Sequence, residues 1–205
     1  MAAVSWRRRP LPRAFKPLLW LLLLAPFLQL VVMVGSDDLG ANPAETVIRY
    51  LGDWSIRMLC VVLLVTPLRW LLRWPALGGV RRMVGLFAFA YASLHWLSYV
   101  WLDQAWVWGD VLADVPKRPF ILVGTLAWLL LLALALTSPR AIARRLGAKR
   151  WQTLHRTVYG VAVLAILHFL WMRAGKNNFA DVWLYGGILV ALLVARLPAL
   201  RRFYP

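Results

Sequence analysis

Long apolar runs alternate with short polar connections along the whole chain. Six runs are candidate spans: Leu18–Val34, Trp54–Leu72, Val84–Leu102, Phe120–Leu136, Leu154–Met172 and Trp183–Leu197, the last of them the shortest. A helix that crosses a bilayer needs about 20 apolar residues, within a range of roughly 17–25. None of the runs alternates apolar and polar positions as a barrel strand would. The pattern predicts an all-α, polytopic membrane protein. It is a six-helix transmembrane bundle, with residues 1–205 as one domain. The first run follows Arg7, Arg8 and Arg9, like the front of a signal peptide, but no small-residue cleavage site comes after it. A retained helix is therefore expected.

Composition changes the picture only through charge. The chain is 62% hydrophobic and carries 24 Lys and Arg against 8 Asp and Glu, a formal net of +16. In a soluble protein such a balance points to nucleic acid. Placing the charges removes that partner. All eight acids (Asp37, Asp38, Glu45, Asp53, Asp103, Asp110, Asp114 and Asp181) fall in alternate connections or their flanks. Most of the basic residues fall in the others, as with Arg69, Arg73, Arg81 and Arg82, then Arg140, Arg144, Arg145, Lys149 and Arg150. By the positive-inside rule the basic ends are cytoplasmic, which puts both termini inside. The charge is then a signature of topology and of contact with membrane lipid. The single cysteine, Cys60, excludes an internal disulfide and any Cys-rich zinc or iron–sulfur site.

The three histidines all fall within spans: His95 in the third, His155 and His168 in the fifth. An ionisable side chain inside a membrane is costly and usually functional. The third and fifth spans run in the same direction, and His95 and His168 lie at similar depth in the half nearer the acidic ends. His155 lies near the basic end, about 19.5 Å of helical rise from His168, so one ion cannot take both. Two imidazoles at equal depth suit the axial positions of a haem b, a centre that transfers electrons when both positions are filled. Zinc fits less well, because it wants a third or fourth ligand. A proton relay would normally enlist a carboxylate, and no acid lies near the middle of a span. His155 and His168 do not share a face of an ideal helix. The fifth span therefore contains a distortion such as a π-bulge, or His155 serves something else.

Several segments carry a family resemblance: Leu39-Gly-Ala-Asn-Pro43, Gly52-Asp-Trp54, Thr66-Pro-Leu-Arg69, Arg81-Arg-Met-Val-Gly-Leu86, Thr137-Ser138, and Trp151-Gln-Thr-Leu-His155 with Tyr159. Together with histidines on helices 3 and 5, they resemble the ferric-reductase-like transmembrane family. The resemblance is closest to its bacterial branch serving periplasmic methionine sulfoxide repair. It implies a multi-pass protein of the bacterial inner membrane that binds haem b, and an association with FMN. Electrons would come from the quinone pool or a flavin reductase. They would pass to a periplasmic molybdenum-containing methionine sulfoxide reductase subunit, so the chain would not itself be that reductase. Two-haem relatives carry two histidines on helix 3. Here Arg81 and Arg82 stand where the second would be. The expected metal ligands are thus His95 and His168, with His155 as a candidate ligand of a second haem, a quinone or flavin contact, or a structural residue. Arg49, Arg57 and Arg173 are candidates to hold haem propionates, since a guanidinium matches carboxylate geometry. The alternative is a small transporter or structural membrane subunit without redox function.

Overall fold

The computed structural model describes residues 10–174 and 177–197. Arg7, Arg8, Arg9, Arg201 and Arg202 lie outside these residues. The described chain is helical, with no strand among its elements: α1 (Phe15–Gly35), α2 (Pro43–Leu71), a 3-10 segment (Pro75–Val80), α3 (Arg81–Ser98), a π-helical segment (Tyr99–Asp103), α4 (Trp108–Lys117), α5 (Pro119–Leu136), α6 (Arg140–Leu146), α7 (Ala148–His155), α8 (Val158–Ala174) and α9 (Ala180–Val194).

Five stretches among the described residues are long and apolar enough to cross a membrane: 15–35, 43–71, 75–103, 119–136 and 148–174. The sixth apolar helix, α9, has 15 residues. That is about 22 Å of rise, short of a hydrocarbon core of about 30 Å. The multi-pass, all-α architecture is as expected, and the sixth apolar helix has the length of its apolar run but begins three residues earlier, at Ala180. α2 also begins well before the expected Trp54. Glu45, Arg49 and Asp53 interrupt the apolar run, but Asn42 caps a helix there. Its side-chain oxygen accepts from the Glu45 amide at 3.2 Å, and Pro43 stands at the first helical position.

Two apolar cores hold the bundle. One joins α2, α5, α8 and α9 through Ile56, Leu59, Leu63, Ala127, Val161, Phe169 and Leu189. The other joins α1, α2 and α3 through Leu23, Leu30, Met58, Val84 and Tyr91. α1 is pinned at its internal Pro26. The Tyr91 hydroxyl accepts from the Phe27 amide at 3.0 Å and donates to the Leu23 carbonyl at 2.9 Å. The Tyr50 hydroxyl donates to the Pro26 carbonyl at 2.8 Å. The outer surfaces stay apolar: Leu22, Val32, Leu129, Val163 and Val190 are all exposed. In water that would be an aggregation liability, and in lipid it is the expected exterior.

The fifth apolar run is indeed distorted, but not by a π-bulge. It breaks at Arg156–Thr157, between α7 and α8. The π-helical segment lies instead at the end of the third run, four residues after His95.

Candidate functional site

A cavity of about 500 Å³ opens between the α2–α3 pair and the α5–α8 pair. That is within the range of small-molecule and cofactor sites, roughly 300–1,000 Å³. Its walls are mostly apolar, with Ile56, Leu59, Ala88, Ala127, Leu131 and Phe169 among them. Its mouth faces the acid-bearing ends of the helices, at Glu45, Arg49, Asp103 and Arg118.

His95 and His168 face this cavity from opposite sides. Their ring centres are 6.0 Å apart, with the planes inclined by 72°. Both rings are held in the same way. The His95 Nδ1 is 2.9 Å from the Ile48 carbonyl on α2. The His168 Nδ1 is 2.6 Å from the Phe120 carbonyl on α5. A carbonyl only accepts, so each Nδ1 carries the proton and each Nε2 keeps its lone pair for a ligand. This is the usual way a protein fixes the tautomer and orientation of a metal-binding imidazole.

A glycine completes each cradle, four residues after the bonding carbonyl. A Cβ at Gly52 would come within 3.0 Å of the His95 ring, and one at Gly124 within 2.7 Å of the His168 ring. The contact at Gly124 is closer than a methyl group tolerates, and the one at Gly52 would require the ring to give by a few tenths of an ångström. The carbonyl and glycine of α2 thus serve the histidine of α3, and those of α5 serve the histidine of α8.

The arrangement fits a metal held between two imidazoles. Metal–imidazole bonds are about 2 Å, and a ring centre lies about 1 Å behind its nitrogen, so one bridging ion needs centres roughly 6 Å apart. Among the described residues, no three His, Cys, Asp or Glu side chains converge as a metal cluster. A metal here would then take its remaining ligands from something other than the protein, as haem iron does from its macrocycle.

Two guanidiniums stand at the mouth, each fixed by an acid one turn before it. Arg49 pairs with Glu45. Arg118 pairs with Asp114, its Nε donating to Oδ1 at 2.7 Å, while the Tyr99 hydroxyl donates to Asp114 Oδ2 at 2.7 Å. The Arg118 hydrogen bonds, with Tyr99 adding to them, hold the Asp114 carboxyl below its ordinary value of 3.8. Asp114 in turn raises the Arg118 guanidinium.

Of the residues singled out in the sequence, His95, His168 and Arg49 line the cavity, and Trp96, next to His95, lines it too. Arg57 does not. It lies about four turns into α2, where its Nε donates to the Tyr185 hydroxyl at 2.8 Å and its guanidinium sits 4.8 Å from the Trp54 ring. Arg173 is also outside the lining. It is 9% exposed and bridges Asp181 at 3.3 Å and Asp53 at 3.8 Å. His155 stands apart at the basic end. It is stacked on Trp151 with centres 3.8 Å apart, and its Nδ1 is 3.1 Å from the Trp151 carbonyl.

Sequence reasoning missed Gly124, the two carbonyls, Arg118 and Trp128. Gly52 stood within a recognised segment, but only the packing shows what it does. Carbonyls carry no sequence signal at all.

A family model described as ferric reductase like transmembrane component matches residues 51–166. The match includes His95 and His155 and stops two residues before His168. The chain is 53% identical over 189 residues to a protein of Polaromonas naphthalenivorans (strain CJ2), covering 92% of this chain and 85% of that one. It is 47% identical over 182 residues to one of Herminiimonas arsenicoxydans, covering 89% and 84%. It is 51% identical over 168 residues to one of Rhodospirillum rubrum, covering 82% and 80%. Each of the three bears the name protein-methionine-sulfoxide reductase heme-binding subunit MsrQ.

Proposed function

The chain belongs to the ferric reductase-like transmembrane family, and on that premise we propose that it is the haem-binding membrane subunit of a protein-methionine-sulfoxide reductase system. The observation that carries this reading is the pair His95 and His168, set across one apolar cavity with both Nδ1 protons committed to backbone carbonyls.

His95 and His168 are the residues that would hold a haem b. Bound there, a haem would supply one-electron chemistry. The chain's own residues do the rest. The Ile48 and Phe120 carbonyls hold the rings in register, and Gly52 and Gly124 give them room. The apolar wall keeps water out. Arg49 and Arg118 take the propionates at the mouth, each steadied by its own acid.

Six spans with both termini in the cytoplasm place the mouth on the periplasmic side of a bacterial inner membrane, in accord with the charge asymmetry. Electrons enter from the quinone pool or a flavin reductase and leave to a periplasmic molybdenum-containing reductase subunit, which reduces protein methionine sulfoxide. His155, at the entry end, serves that step or a second haem.

The purified protein is expected to give the reduced-minus-oxidised spectrum of low-spin haem b. His95→Ala and His168→Ala should each abolish it, and His155→Ala should leave the haem held by His95 and His168 in place. A colourless protein, or an unchanged spectrum in both of the first two variants, rejects this reading in favour of a non-redox membrane subunit.

A further inference from the structure

Four indoles form a continuous ladder from the cavity wall to the acid-bearing surface. Trp128 on α5 and Trp96 on α3 both line the cavity. Their rings are stacked, with centres 4.6 Å apart and planes 5° from parallel. Trp108, at the start of α4, follows at 6.4 Å from Trp96, and Trp106 at 6.1 Å from Trp108. Each step lies within the range of direct aromatic contact, about 4.5–7 Å.

The inner pair is held by reciprocal bonds. Trp128 Nε1 donates to the Ser93 hydroxyl on α3 at 3.0 Å, and Trp96 Nε1 donates to the Thr125 hydroxyl on α5 at 3.4 Å. Each helix therefore fixes the other's indole. The outer pair is presented to the exterior: Trp106 is 47% exposed and Trp108 is 53% exposed. The backbone is strained to do this, since Ala105 and Trp106 both have positive φ, 46° and 63°. Bulky residues seldom occupy that region, and strain of this kind is kept where the surroundings enforce it.

An interfacial tryptophan belt accounts for exposed indoles at a span end. It does not account for two that line a cofactor cavity, nor for an unbroken path joining the two pairs. We infer that Trp128, Trp96, Trp108 and Trp106 are the electron exit path from the cavity to a soluble redox protein that docks over Trp106 and Trp108. This rests on the haem reading above. One electron leaves the ferrous iron, which becomes ferric, and one-electron reduction occurs at the acceptor's metal centre. The indoles act as a tunnelling bridge and are neither oxidised nor protonated. The ladder emerges beside the exposed Asp103 and Asp110, at the end of the bundle that holds every acid of the chain. The face therefore suits an acceptor with a basic rim, with the exposed indoles as its apolar anchor.

The probe is ferricytochrome c, a basic one-electron acceptor, with the protein in nanodiscs of zwitterionic lipid. Oxidation of the dithionite-reduced haem is followed by stopped flow. Trp108→Leu, off the cavity wall, should slow it by an order of magnitude at unchanged haem content and midpoint potential, and Trp96→Leu should slow it as much per bound haem when compared at its own measured potential. Trp101→Leu, exposed nearby but off the ladder, should keep the wild-type rate. Hexaammineruthenium(III), small enough to reach the open mouth, should react with all variants alike. Binding of iron-free cytochrome c to haem-free nanodiscs, which involves no electron transfer, should weaken in Trp106→Leu with Trp108→Leu. Wild-type rates in the haem-loaded variants and wild-type binding in the haem-free ones would make the outer indoles a lipid belt and overturn the inference alone. A wild-type protein without a haem spectrum would overturn the functional reading and the inference together.

Discussion

Two hydrogen atoms shape the site. Gly52 and Gly124 each present a bare Cα to an imidazole; a methyl group at Gly124 would push its ring out of position, and one at Gly52 would crowd its ring by a few tenths of an ångström. Alanine is ordinarily the better helix former by about 1 kcal/mol. At Gly124 the opposing cost of overpacking is about 1–3 kcal/mol, because the ring struck is itself anchored to the Phe120 carbonyl. Gly124→Ala should therefore lose haem while the helix still forms. Gly52→Ala, with a contact of 3.0 Å against 2.7 Å, should lose less. Haem-to-protein ratio and far-UV circular dichroism, read together, check this. Retention of full haem in Gly124→Ala would mean the His168 ring has room to move. The histidines themselves were legible in the sequence, because imidazoles are scarce and conspicuous in apolar runs. Their glycine partners were not, because a glycine in a membrane helix has many bland uses, and its meaning lies in a contact with a distant segment.

At the scale of elements, the departures from regular helix cluster around the histidines. The π-helical segment after His95 carries Tyr99 to Asp114 on α4, and Asp114 grips Arg118 just before α5. One carboxylate thus fastens three elements at the cavity mouth. Its folded-state pKa is depressed, so its contribution is complete above the ordinary value of 3.8 and disappears as pH falls through the lowered folded value. Both partners keep some contact with solvent, at 21% and 39% exposure, so the pair contributes less than about 1 kcal/mol. Asp114→Asn should lower the unfolding temperature slightly at pH 7, and the difference from wild type should close as pH drops below 3.8. Thermal melts at neutral and acid pH test this, and a gap that persists in acid would contradict it. The mismatch in facing between His155 and His168 was visible from helical arithmetic. Its form was not, since a break at Arg156–Thr157 and a π-bulge satisfy the same arithmetic.

The molecule as a whole is polarised along one axis. Every acid falls toward one end, and the cavity opens there. This was the most legible property of all, because charge distribution follows from topology and needs no knowledge of packing. It also yields a direct prediction. In a Cys60→Ser background, a cysteine at Asp110 should react with a membrane-impermeant maleimide in spheroplasts. A cysteine at Arg145 should react only after the membrane is opened. The reverse pattern would turn the bundle over and put the cavity mouth in the cytoplasm. Helix lengths were less legible, because an apolar run records what lipid tolerates and a helix records where its ends are capped. α2 outruns its apolar stretch for that reason, and α9 is shifted three residues from its own.

The cradle has two halves, and they lie far apart in the chain. Gly52 and His95 come from its first half, Gly124 and His168 from its second. No growing chain can possess both imidazoles until α8 has been made and threaded beside α3. A cofactor that needs both imidazoles would therefore be acquired late in biogenesis, after α8 has been made. Any truncation before residue 168 gives a product that the cell's proteases meet with its principal binding site still half built.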